Sequence, residues 1–121
     1  MALTKTTPTS LGTASGIAAS GSWTSSFFDV SDAVTAEIEC IFTFSSTPTS
    51  GNVNIEVYAS QDGSNTGDEP INTYATESIT DTNYRIIFGF DVLPHKNILV
   101  YITNNTDQAV DISVNAIKTT V

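Results

Sequence analysis

An all-β fold, an antiparallel sandwich of two packed sheets, is what this 121-residue sequence predicts. Three observations carry that expectation. Four segments alternate apolar and polar residues with a period of two, no segment sustains a helical period, and turn-forming residues separate the apolar runs. Successive strand side chains point to opposite faces, so each alternating segment offers one face to a core and one to solvent. Seven to eight short strands at regular turn spacing imply a jelly-roll or Greek-key sandwich, with a small closed barrel as the alternative.

In chain order, residues 1–10 are rich in Thr, contain Pro8 and have little to bury. They read as an extended N-terminal arm ahead of a sandwich domain spanning residues 11–121. Leu11 to Ser20 is small, weakly alternating and interrupted by glycine, which suits an edge strand. Ser22 to Val30 carries a better strand, anchored by Trp23 and Phe27 or Phe28.

The first strong strand, near 34–45, alternates Ala36, Ile38, Cys40, Phe42 and Phe44 with Glu37, Glu39 and Thr43. The second, near 53–60, sets Val53, Ile55, Val57 and Ala59 against Asn54, Glu56 and Tyr58. The third, near 83–91, sets Tyr84, Ile86, Phe88 and Phe90 against Arg85, Ile87 and Gly89. The fourth, near 109–118, sets Val110, Ile112, Val114 and Ala116 against Asp111, Ser113 and Asn115. Weaker strands fit at 71–78 and 97–103. Turn chemistry marks 46–51, 61–68, 91–95 and 104–107, most clearly at Asp62-Gly63, because glycine accepts a positive φ without steric cost.

Charge narrows the function. Thirteen acidic residues face only Lys5, Arg85, Lys96 and Lys118, for a net charge of −9. Nucleic-acid binding relies on clustered Lys and Arg, and anionic membranes attract the same groups, so neither is an expected partner. No stretch approaches the ~20 apolar residues of a membrane span. Met1-Ala-Leu-Thr-Lys lacks the apolar run of a signal peptide, and synthesis in a cytosol is expected. The length suffices for a core without disulfides, and Cys40, the sole cysteine, has no intrachain partner. Glu37 and Glu39 beside it disfavour a thiolate, so Cys40 reads as a small core residue rather than a nucleophile.

No catalytic, cofactor or metal site emerges from the remaining residues. His95, the sole histidine, lies in a turn after Pro94 with no local nucleophile to activate. Glu37 and Glu39 share a strand face, with Glu56 on the outward parity of the next strand. Paired carboxylates can hydrolyse glycosides, but this pair falls on the solvated parity. The loop QDGSNTGDE at 61–69 holds several oxygen ligands yet lacks the full calcium-loop spacing, and reads as a turn. Asn104-Asn105-Thr106 matches a glycosylation sequon and reads as a polar turn. Tyr58, Tyr74 and Tyr101 on outward parities, beside Asp62 and Asp68, would make a platform for sugar or for protein.

The succession GTASGIAASGSWTSSFFDVSDA, AEIECIFTFSSTPTSGNVNIEVYASQDGSN and NYRIIFGFDVLPHKNILVYITNNTDQAVDISVNAIKTTV resembles small β-sandwich structural proteins of tailed bacteriophages over residues 12–121. The resemblance implies a non-enzymatic virion component, made in the host cytoplasm, such as a capsid decoration (cement) protein. Its partner would then be the major capsid protein, and a homo-oligomer is expected, with trimers suiting the symmetry axes of a shell. Docking would fall to the arm and its junction, through Leu3, Lys5, Pro8 and Leu11, by strand pairing with a neighbour's sheet edge. The alternative is a carbohydrate-binding or accessory module of a phage tail or fibre, using Tyr58, Tyr74, Tyr101, Asp62 and Asp68.

Overall fold

In the computed structural model, which describes residues 2–121, ten antiparallel strands divide between two facing sheets. The strands are β1 (Thr4–Lys5), β2 (Thr9–Ile17), β3 (Ser22–Thr24), β4 (Phe28–Asp29) and β5 (Ala33–Phe44). They continue with β6 (Val53–Ser60), β7 (Asn72–Ala75), β8 (Asn83–Asp91), β9 (Asn97–Asn104) and β10 (Val110–Thr120).

One sheet runs β1 or β2, β10, β5, β8, and the other runs β3 or β4, β9, β6, β7. β1 and β2 lie end to end along the same side of β10, and β3 and β4 do likewise along β9. The ten segments therefore fill eight strand positions, four per sheet. Their order, each sheet drawing strands from both halves of the chain, is that of a jelly roll.

The apolar parities supply the core. Ala36, Ile38, Cys40, Phe42 and Phe44 of β5 are buried, as are Val110, Ile112, Val114 and Ala116 of β10. Val53, Ile55 and Val57 of β6 face them from the other sheet. The Val, Ile and Phe side chains among them each contribute roughly 1.5–3 kcal/mol on full burial, so the central strands carry much of the stability.

Four expectations change. The weak segment at 97–103 is β9, an inner strand between β6 and β3/β4, with Ile98, Val100 and Ile102 fully buried. Leu99 on its outward parity is 8% exposed, which breaks the alternation that would have marked the strand. Segment 22–30 splits into β3 and β4 at Ser25, whose amide still donates to the Val100 carbonyl at 2.8 Å while its Oγ, in place of a backbone carbonyl, accepts the Val100 amide at 2.9 Å. Next to it, the Ser26 amide bonds to Leu11 of the other sheet, so the chain bridges the two layers here. The apolar row of β8 is only half-buried, because β8 is an edge strand. At the end of β6, Ser60 is buried where Ala59 was expected.

The N-terminal segment is extended but not detached. Thr4 and Lys5 pair with Thr120 and Thr119, and the Thr6 amide donates to the Lys118 carbonyl at 3.0 Å. Thr9 and Ser10 already belong to β2, and Leu11 is a core residue at 2% exposure.

Candidate functional site

The outer face of the β1/β2–β10–β5–β8 sheet gathers most of the residues expected to dock. Register places Ile117 beside Glu37, Asn115 beside Glu39, and Glu39 beside Ile87. These side chains, with Pro8 from the turn between β1 and β2, line a shallow hollow of about 120 Å³. Pro8, Ile87 and Ile117 give its lining apolar surface, and Glu37, Glu39 and Asn115 give it polar groups. Glu37 accepts from Lys5 Nζ at 2.8 Å, while Glu39 accepts from Asn115 Nδ2 at 3.2 Å and lies 3.8 Å from Arg85 Nε.

Lys5 and Pro8 thus both meet Glu37 on this face, and Leu3, two residues before Lys5, is 67% exposed. Leu11 does not join them. Its side chain is committed to the core, which removes it from any docking set. Ile87 and Ile117 join the site without having been expected there, although Ile87 is an isoleucine on the polar parity of its strand.

Tyr58 and Tyr101 lie on the outer face of the opposite sheet. Tyr58 pairs with Leu99 and Tyr101 with Glu56, so the two rings are diagonal neighbours. The Tyr58 hydroxyl donates to Glu56 Oε2 at 3.3 Å. Desolvation, then the Glu56 charge and hydrogen bond, push the Tyr58 phenol above its ordinary range.

Tyr74 does not belong to this platform. It pairs with Ile55, so it points between the sheets, where it stacks on Phe88 at 5.8 Å between ring centroids. Glu56 likewise lies on the face opposite Glu37 and Glu39, which separates the three carboxylates.

Asp62 is spent on its own turn. Its Oδ1 accepts the amides of Ser64 and Asn65, each at 2.8 Å, and the Ser60 hydroxyl at 3.1 Å, while its Oδ2 accepts Asn65 Nδ2. Those bonds, from Asn65 above all, hold its carboxyl well below the usual carboxylate range. Asp68 is exposed further along the loop. Among the described residues, no group of three or more His, Cys, Asp or Glu side chains could hold a metal ion.

No family model matches the chain, and no curated protein matches it. Solved structures do. The SPBc2 prophage-derived protein YomS aligns over 99% of this chain and 96% of its own, at 15% identity and a TM-score of 0.52. A structure from the Gx strain of infectious bursal disease virus aligns over 98% of this chain and 32% of its own, at 12% identity and a TM-score of 0.60. The enzymatically active domain of tailspike protein 4 from bacteriophage CBA120 aligns over 98% and 19%, at 11% identity and a TM-score of 0.57. What they share with this chain is the fold. The chain spans about half the length (53%) of the broad bean stain virus and cowpea mosaic virus chains that it also matches.

Proposed function

We propose that this chain is a non-enzymatic structural protein of a phage virion. In the finer form of this reading it is a capsid decoration protein, bound to the major capsid protein. The carrying observation is the N-terminal segment at the sheet edge, where Pro8 lines the hollow, Lys5 pairs with its Glu37 and Leu3 is left exposed. β1 is held by two ladder positions and an exposed ion pair, the latter worth about 0–1 kcal/mol. Such a segment exchanges its own sheet edge for a neighbour's at small cost, and a symmetric shell multiplies the modest contact into firm attachment. Alignment of nearly all of this chain with a prophage-derived protein, and with about a third (32%) of a viral chain, supports the setting.

The test is co-sedimentation with expanded, undecorated heads of the source phage. Saturable binding at a fixed ratio to the major capsid protein is expected. It should be lost on deleting residues 2–7, which spares β2 and Leu11 and so leaves the domain folded. Binding that survives the deletion would remove the segment from the contact, and no binding at all would reject decoration.

A second reading rests on the diagonal Tyr58–Tyr101 pair and on the likeness to a tailspike domain. As a sugar-binding module, the protein would retain glycans on an array and lose them on Tyr58→Ala or Tyr101→Ala.

A further inference from the structure

The two sheets have four edges, and three of them are guarded. β7 is four residues long, β3 and β4 are short and separate, and β2 is bent by two register shifts with Gly12 and Gly16 at positive φ. Short and bulged strands are how proteins prevent further strand addition. β8 has no such guard. It is nine residues long, pairs without a register shift to β5 alone, contains no proline, and carries Ile87 outward at 59% exposure.

Gly89 is the second observation. A glycine within a strand weakens it by roughly 0.5–1 kcal/mol relative to alanine. Here the fold gives no reason for it: its φ is not positive, and an added Cβ would meet only Glu37 Cγ at 3.4 Å and the Ala36 carbonyl at 3.6 Å. Those are ordinary van der Waals separations. Strand glycines otherwise mark a place where another chain comes close.

The sequence of β8 says which chain. Counting outward from Phe88, Arg85 and Asp91 lie three positions away on opposite sides, and Ile87 and Gly89 lie one position away. We propose that β8 pairs antiparallel with β8 of a second copy, about a two-fold axis at Phe88. Arg85 of each copy then stands opposite Asp91 of the other, and Ile87 lies over the bare Gly89 of the other. On the inner face, Ile86 meets Phe90 and the two Phe88 rings meet each other. The half-buried row of Tyr84, Ile86, Phe88 and Phe90 gains cover thereby, beside the stacking that Tyr74 already gives Phe88. Cross-strand pairs of opposite charge, and of aromatic with branched side chains, are favourable ones. β8 is also locally neutral, with one cation and one anion in a protein of net charge −9, so two copies can approach there. The contact is isologous and makes a dimer, one form of the homo-oligomer expected above. It does not depend on the virion reading.

Sedimentation velocity across a concentration series tests it with two single variants. Arg85→Glu sets like charges opposite each other in its own dimer, and so does Asp91→Arg. Each should weaken self-association about tenfold. Mixed in equal amounts, the two variants should associate as the wild type does, because both charge pairs are complementary in the mixed dimer. Gly89→Val should weaken the dimer, because its side chain fills the space that Ile87 of the other copy takes, while the isolated sheet has room for at least its Cβ. A wild type that stays monomeric at every concentration, or a mixture no stronger than its components, would overturn the proposal. So would an oligomer indifferent to Gly89→Val.

Discussion

Asn104 holds Thr106 twice: its Oδ1 accepts the Thr106 amide at 3.1 Å and the Thr106 hydroxyl at 2.7 Å. The other end of the same amide donates to the carbonyls of Ile17 at 3.0 Å, Ala18 at 3.3 Å and Gln108 at 2.8 Å. With no exposed surface, Asn104 ties the end of β2 to the turn between β9 and β10. Asn104→Ala leaves several polar groups without partners and should cost about 2–4 kcal/mol in denaturant unfolding. Asn104→Asp keeps the acceptor but loses every donated bond, and should be comparably destabilised at pH 7.

Two glycines should answer oppositely to the same change. Gly51 has a φ of +83°, and a Cβ there would collide with the Asn105 carbonyl. Gly51→Ala should destabilise by about 2 kcal/mol or more, through strain and displacement of the neighbouring turn. Gly89→Ala should leave the monomer as stable as before or slightly more so. Thermal melts of the two variants beside the wild type check both.

Burial pushes the Cys40 thiol up to about 12, with the charge of Glu39 adding to the effect. Unfolded, the thiol titrates near its ordinary value of 9.0, so above that pH the unfolded chain sheds a proton that the folded one keeps. The contribution is whole below pH 9 and is lost as pH rises toward 12, at up to about 1.4 kcal/mol per pH unit. The stability of the wild type relative to Cys40→Ala should therefore fall over that interval. At pH 8 a thiol reagent should label the protein only in denaturant.

The Asp62 carboxyl is held below its ordinary 3.8, so its bonds to Ser60, Ser64 and Asn65 stabilise the fold above that pH. That contribution is lost as pH falls below the ordinary value and through the lowered one. The gap in melting temperature between wild type and Asp62→Asn should be steady from about pH 5 to 8 and close below about pH 4. Added calcium should leave the wild-type melt unchanged, because the carboxylate oxygens are already occupied by the turn.

The sandwich was legible wherever alternation was clean. β5 and β10 bury the face that their periodicity assigned, and β6 does so through Val57, because one side of each lies on the core. β9 was obscured by Leu99, an apolar residue on an outward parity beneath the Tyr58–Tyr101 face. The place of Tyr74 was not readable, because inward and outward on a four-residue edge strand depend on register with Ile55, which no local pattern encodes. Lys5 and Pro8 were legible as docking candidates by their poverty of apolar neighbours. The carboxylates and isoleucines that meet them come from β5, β8 and β10, and that convergence is a product of topology.

β10, the last strand in the chain, is flanked by β2 on one side and β5 on the other. β2 has no other neighbour in its sheet, and its pairing joins residues 9–17 to residues 110–116. Completing that sheet therefore depends on long-range closure, the kind of contact that forms slowly. A chain cut before residue 110 should be protease-sensitive, whereas the whole chain should acquire resistance in a single step.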